Sequence, residues 1–346
     1  FTIARCRLLL GETSACLCAY AKAIQIGLAC DSCVPDELLD SEILTVETLS
    51  AVNTALCERV LSLLHLARWR SRRDCGDQRA AAESYAWLDK RRLRREPPSK
   101  MPVLLVIGGA ELMPRNKITV YYEHLLEALE FFKGTVVSGG TTSGIPGVVG
   151  NVTQTLANNS MKAFDLIAYL PRPPFTDTSA EEHKSYAIAG RTATHDFSER
   201  EVIACWVDLL LAGVDPSKIV CIGINGGRLA DVEYRLALAF GATVGVMRDS
   251  GRAAALLLAD PDWNQHPRLC VLPEDSLVVW AFVNRYNTPT LSAKEVAEAA
   301  PMVHEYYRQH RWKEGDTCDL ALLPWAQLQP STGFQESSKE QVAFID

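Results

Sequence analysis

Residues Gly134–Ala157 read GTVVSGGTTSGIPGVVGNVTQTLA, an apolar strand running into a glycine-rich turn and then into a helix that opens after Pro146. In that turn Gly139, Gly140, Gly144 and Gly147 are free to take positive φ, and the lack of Cβ atoms lets an anion approach the backbone N–H groups. The helix adds the positive end of its dipole, so the unit reads as a phosphate cradle. A second unit of the same order, strand, glycine pair, helix and strand, occupies Lys218–Val246, KIVCIGINGGRLADVEYRLALAFGATVGV. A third pair, Gly108-Gly109, ends the run Val103 to Ile107. Two such units in one parallel sheet bring their glycine turns to the carboxyl edge, where open α/β sheets hold ligands.

The apolar runs 103–107, 135–138, 166–170, 219–224, 243–247 and 270–272 lack polar alternation, as expected of strands covered by helices on both faces. The expected fold is therefore α/β, a doubly wound, mostly parallel Rossmann-like sheet. Ahead of it, residues 1–96 read as an all-helical module, with Leu38, Ile43, Val46, Leu49, Val52, Leu56, Val60, Leu63 and Leu64 recurring at three- and four-residue steps. Pro97-Pro98-Ser99-Lys100 breaks that pattern and makes 97–101 a linker. Residues 102–286 form the expected domain for a phosphorylated ligand, and 287–346 a small helical C-terminal segment.

The turn Gly139-Gly140-Thr141-Thr142-Ser143-Gly144-Ile145-Pro146-Gly147 resembles the glycine-rich turn of the SLOG superfamily, which includes the Lonely-guy phosphoribohydrolases and the DNA-processing protein DprA. Within it, residues 102–286 are most similar to the SLOG domains of melastatin-type TRP channels and their prokaryotic counterparts. The resemblance is carried by Ser198-Glu199-Arg200-Glu201, Trp206-Val207-Asp208-Leu209-Leu210, Ile224-Asn225-Gly226-Gly227 and Ser250-Gly251-Arg252. It implies recognition of nucleotide-sugar phosphates, ADP-ribose derivatives foremost; no cofactor is expected to be required, and the cysteine spacing, without nearby histidines, gives no metal site. The tail resembles the short ryanodine-receptor repeat domain, through Ala297–Tyr306 and Leu323–Leu328 followed by Glu336–Gln341.

Where the phosphoribohydrolases carry a Gly-Thr after the second glycine pair, this chain has Leu229-Ala230, while Glu233 keeps its spacing. Hydrolysis of an N-glycosidic bond needs a carboxyl group near the ribose, and Glu233 with a phosphate-holding Arg200 would be the pair for it. The missing hydroxyl turns the expectation toward binding without turnover. Expected ligand-binding residues are Gly108, Gly109, Gly139, Gly140, Thr141, Thr142, Gly144, Gly147, Arg191, Arg200, Asn225, Gly226, Gly227, Glu233, Ser250, Gly251 and Arg252. Arg191 lies in the polar excursion 171–194, read as a lid or a surface insertion, and Arg252 opens a helix where a diphosphate could lie.

The formal charge of −7 and pI near 5.6 disfavour nucleic acid as a partner. Nine arginines between Arg68 and Arg95 are read as a solvated helix face. Lys22 interrupts the best apolar run, Ala15 to Ala29, so no membrane span is expected. The eleven cysteines, including Cys16, Cys18, Cys30 and Cys33, are expected to be free thiols of a cytoplasmic protein. The function these features point to is a sensor in which ligand at the glycine turns alters how the helical module packs, self-associates as a homo-oligomer or meets an effector. By resemblance, the setting is prokaryotic anti-phage signalling.

Overall fold

A computed structural model describes residues 1–29, 36–96, 98, 100–109, 113–178, 180–286, 300, 301, 304, 305 and 308. Seven strands form one parallel sheet: β1 (Val103–Gly109), β2 (Thr135–Val137), β3 (Asp165–Leu170), β4 (Ala187–Arg191), β5 (Ile219–Asn225), β6 (Thr243–Met247) and β7 (Leu269–Leu272). Their order is β4-β3-β2-β1-β5-β6-β7, so the direction of winding reverses between β1 and β5. The doubly wound α/β expectation holds.

Strand alternation assigns the two faces. Val103, Leu105 and Ile107 of β1 share one apolar cluster with α8 (Glu199–Leu211), α9 (Arg228–Ala239) and α10 (Arg252–Ala259). The opposite face takes α6 (Arg115–Glu130), α7 (Gly144–Asn158) and α11 (Ser276–Asn284), where Gly245 leaves room for the ring of Phe282. Five helices precede the sheet: α1 (Thr2–Leu9), α2 (Thr13–Ala29), α3 (Asp36–Leu49), α4 (Thr54–Cys75) and α5 (Gln78–Asp89). They belong to the compact unit Phe1–Val283 and form a further layer, α2 against α9 and α4 against α8.

This stacking explains the composition of α8. Its sequence, EREVIACWVDLLL, is apolar on nearly every side because the sheet covers one face and α4 the other. Trp206 is fully buried and packs on Phe240 at 5.4 Å between ring centroids. The helix starts at a capping box in which Ser198 and Glu201 satisfy each other's backbone N–H groups. Its most deeply buried carboxylate, Asp208, accepts from the backbone N–H of Leu93 at 3.2 Å and of Arg94 at 2.7 Å. The chain leaving the helical layer is thereby pinned to the sheet domain.

Three sequence expectations change. The arginine-rich stretch is a solvated face only in part: Arg73, Arg79 and Arg95 are exposed, but Arg68 ion-pairs with Asp40 at 2.6 Å, Arg72 with the same carboxylate at 3.3 Å, and Arg70 reaches the carbonyl of Phe240. The last three side chains join α4 to its neighbours because their stems cover apolar surface while the heads find acceptors. The excursion 171–194 is not wholly irregular, since it ends in the edge strand β4, whose GlyArg-containing sequence gave no strand signal. The helix after the first glycine turn begins at Gly144, two residues ahead of Pro146.

Cys16, Cys57, Cys205 and Cys221 are buried free thiols, and burial pushes Cys16 and Cys18 up to about 12. Cys30 and Cys33 lie outside the described residues, as does most of 287–346, including Trp325. Asn284–Asp346 is a second compact unit, of which Ala300, Pro301, His304, Glu305 and Arg308 are described as helical. No helix among the described residues is long and apolar enough to cross a membrane.

Asp208→Ala strands two backbone donors in the interior, each worth about 1–3 kcal/mol when left unpaired. Urea unfolding is expected to show a loss of about 2–5 kcal/mol, with Asp208→Asn losing less because an acceptor oxygen survives.

Candidate functional site

Because every strand is parallel, the turns after β1, β2, β5 and β6 all lie on the carboxyl edge of the sheet. The reversal point falls between β1 and β5, where Gly108 pairs in register with Ile224 and Gly109 with Asn225. A cleft of about 490 Å³ opens there, within the range of small-ligand sites. Its lining includes Gly108, Gly109, Gly139, Thr141, Gly227 and Glu233 from the expected set.

The expected glycines divide into two kinds. Gly108, at φ 153°, could not carry a Cβ, which would fall 2.0 Å from the carbonyl oxygen of Ile224. Gly226 (φ 90°), Gly140 (φ 75°) and Gly147 are likewise closed by protein: a Cβ would meet Ala230 at 2.4 Å, Ala168 at 2.6 Å and the Thr142 carbonyl at 2.2 Å respectively. These glycines are demanded by packing, which corrects the expectation that Gly140 and Gly147 stand bare before a ligand. Gly109 and Gly227 differ, since a Cβ on either meets nothing nearer than 3.7 Å and would project into open space.

Helix termini supply the positive end of the field. Ser143 caps α7 and Gly227 caps α9, neither with a side-chain hydrogen bond to the first turn, and both residues line the cleft. Gly144 opens α7 at φ 65°, whereas Thr142 faces solvent with its N–H bonded to the Glu181 carbonyl at 2.8 Å. Free first-turn N–H groups of two helices thus point at one space.

Glu233 is the chemically distinctive group. Its half-buried side chain lines the cleft, and among the described residues it forms no hydrogen bond or ion pair with protein. Desolvation pushes its pKa up to about 8. The neutral form, favoured by that shift, can donate as well as accept and adds little repulsion to an anion. Glu201 also lines the cleft but is committed to the capping box and to the hydroxyl of Thr192.

Asn225, Ser250, Gly251 and Arg252 line a neighbouring cavity of about 270 Å³ with Lys117 and Tyr121. Asn225 (φ 57°), Asp249 (φ 59°), Gly251 (φ 93°) and Arg252 (φ 46°) all take left-handed backbone, an unusual concentration of strain at two adjoining strand ends. The Asn225 N–H donates to Ser250 Oγ at 2.9 Å, and the Arg252 guanidinium stands 3.7 Å from where a Cβ on Gly227 would lie. That side chain therefore spans from the smaller cavity to the mouth of the cleft.

Two expected residues are placed elsewhere. Arg191 holds Glu182 with two contacts of 2.8 Å and the Pro171 carbonyl at 3.2 Å, so it fastens the excursion instead of lining the cleft. Arg200 projects into a separate cavity on the far side of α8, apart from Glu233. Residues not expected in the cleft include Ser138, Tyr169, Phe197 and Cys205. Of these, Ser138 and Tyr169 carried a signal, because each stands at or near the carboxyl end of an anticipated strand.

No protein-family model matches the chain, and no curated protein matches it. Among solved structures it is similar to the molybdenum cofactor carrier protein from Chlamydomonas reinhardtii, with 16% identity, a TM-score of 0.39, and coverage of 54% of this chain and 98% of that one. A likeness of that extent carries no argument about the site.

Two outcomes follow from the geometry. Gly108→Ala and Gly226→Ala are expected to lower stability by more than about 1 kcal/mol, while Gly227→Ala folds as the wild type does, as thermal denaturation will record. Glu233 has its folded-state pKa raised from 4.5 to about 8, so the folded chain binds more protons through that window. Stability is expected to be highest below the lower value and to fall as pH rises through the upper one. Glu233→Gln removes that fall, measurable as urea midpoints at about pH 5 and about pH 9 for both proteins.

Proposed function

We propose that the chain is a sensor of the SLOG type that binds a nucleotide-derived ligand of the ADP-ribose class in the cleft between β1 and β5. One observation carries this reading: two helix N-termini without side-chain caps and the open glycines Gly109 and Gly227 converge at the reversal point of a parallel sheet, beside an unpartnered carboxyl. Phosphate oxygens accept from the first-turn N–H groups of α7 and α9, and Arg252 closes on the second phosphate. Glu233 meets a ribose hydroxyl. No cofactor is needed for this binding.

Coupling runs through helices that touch both the cleft and the N-terminal layer. α9 begins at the cleft and is covered by α2, and α8 contributes Val202 and Cys205 to the cleft and is covered by α4. A ligand that favours one arrangement of these helices changes the outer layer by the same free energy. Exposed Ile3, Leu9 and Leu10 on that layer suit self-association or an effector. A cytoplasmic, anti-phage setting belongs to the same proposal and rests on the resemblance alone.

A second reading, hydrolysis of the N-glycosidic bond, draws on Glu233. A neutral carboxyl in a desolvated cleft is poised to protonate a departing base. Arg200 has no part in it, given its position across α8.

Calorimetry and thermal shift with ADP-ribose, with chromatography for released base, test both. Saturable binding without product is expected, stabilising the protein by about 2.7 kcal/mol at a hundred times Kd. Gly227→Val should abolish binding in a folded protein. Arg252→Ala should weaken ADP-ribose by about tenfold or more while leaving adenosine nearly unchanged. Base release lost in Glu233→Gln would establish the hydrolytic reading, and no binding by the folded wild type would end both.

A further inference from the structure

The far side of α8 holds a cluster that the cleft does not use. Arg59 from α4, Arg91 from the turn after α5 and Arg200 from the first turn of α8 converge on a cavity of about 200 Å³, whose remaining wall includes Leu93, Ile203 and Val207. Three guanidinium groups from three elements meet here although the chain as a whole is acidic.

Arg59 and Arg91 are held in place, and all three arginines are incompletely satisfied. Arg59 ion-pairs with Glu199 at 3.3 Å, while its buried Nε has no hydrogen-bond acceptor. Arg91 lies 3.4 Å over the ring of Trp87, which in turn stacks on His65 at 4.3 Å, so its plane is fixed. Its Nη1 donates to the Trp87 carbonyl at 2.9 Å, and its buried Nε stands 3.5 Å from Glu58 without a hydrogen bond. The Arg200 backbone N–H donates to Ser198 Oγ at 3.4 Å, but its guanidinium forms no hydrogen bond or ion pair among the described residues. Desolvation, with Arg200 adding like charge, pushes Arg59 below its ordinary value. Gathering these groups costs free energy that a bound anion returns.

We propose that this cavity is a second ligand site, for a small organic monocarboxylate with an apolar body. Glu199 and Glu58 pair with Arg59 and Arg91, and Glu201 adds a third carboxylate to the field at Arg59, so the unpaired Arg200 guanidinium suits one negative charge better than two. The apolar wall accepts the body of the ligand, and the planar guanidinium forks suit a carboxylate. The volume falls below the roughly 300–1,000 Å³ of sites for larger ligands, which excludes a nucleotide. The site also communicates with the cleft: Thr192 lines this cavity, and its hydroxyl donates to Glu201, which lines the other. A carboxylate held here bears on the same helix that the cleft ligand touches.

Calorimetric titration of the full chain with benzoate, inorganic phosphate and benzyl alcohol tests the assignment without any ligand in the cleft. Benzoate is expected to bind saturably, phosphate at least tenfold more weakly, and benzyl alcohol not measurably. Arg200→Gln, with folding checked by circular dichroism, should weaken benzoate by at least tenfold, whereas Gly227→Val should leave it unchanged. No saturable benzoate binding, equal affinity in folded Arg200→Gln, or phosphate binding as tightly as benzoate would each overturn the proposal.

Discussion

The approach of β1 to β5 at Gly108 sets the terms for the rest of the molecule. With the Ile224 carbonyl oxygen 2.0 Å from any Cβ at that position, only glycine lets the two strands run side by side to their carboxyl ends. The winding reverses at this pair, so the chain leaving β1 goes to one face and the chain leaving β5 to the other. A crevice between them is the geometric consequence, and the N-termini of α7 and α9 face it because helices in such units start where strands end. Strain at Asn225, Asp249 and Arg252 is concentrated along this same edge, where the turns fold back tightly upon one another.

Helix α8 is the second organising element. It is a wall common to the cleft on one side and the arginine cavity on the other, with Glu201 and Cys205 facing the first and Arg200 and Ile203 the second. It is buried on both sides because the sheet covers one face and the helices ahead of the sheet, α4 foremost, cover the other. The N-terminal layer is therefore not a pendant module in its packing, and Asp208 ties the chain segment between the two to the interior. Any displacement of α8 alters both cavities, since one capping box and one Thr192–Glu201 bond set its start.

Much of the fold was legible because its signals are local. Unbroken apolar runs, glycine pairs at their ends and helical periodicity follow from the allowed backbone angles and from burial on two faces. Strand β4 was not legible, as Ala187–Arg191 is a half-exposed edge strand held by pairing with β3 and not by its own propensity. Arg68, Arg70 and Arg72 of α4 and Arg92 after α5 looked like a surface because charge suggests solvent, and only the distant Asp40, Asp208 and Phe240 carbonyl reveal them as an interface.

At the candidate site the division is the same. The sequence alone determined that glycine turns would cluster at one edge of a parallel sheet, because strand direction and βα order dictate it. Tertiary structure alone decided which glycines are bare: Gly140 and Gly147 are filled by Ala168 and Thr142, whereas Gly109 and Gly227 open onto the cleft. It also parted Arg200 from Glu233 by the thickness of a helix, and raised the Glu233 carboxyl to about 8 by removing it from water. Spacing along a chain records backbone freedom, but exposure and pKa depend on neighbours that only packing brings together.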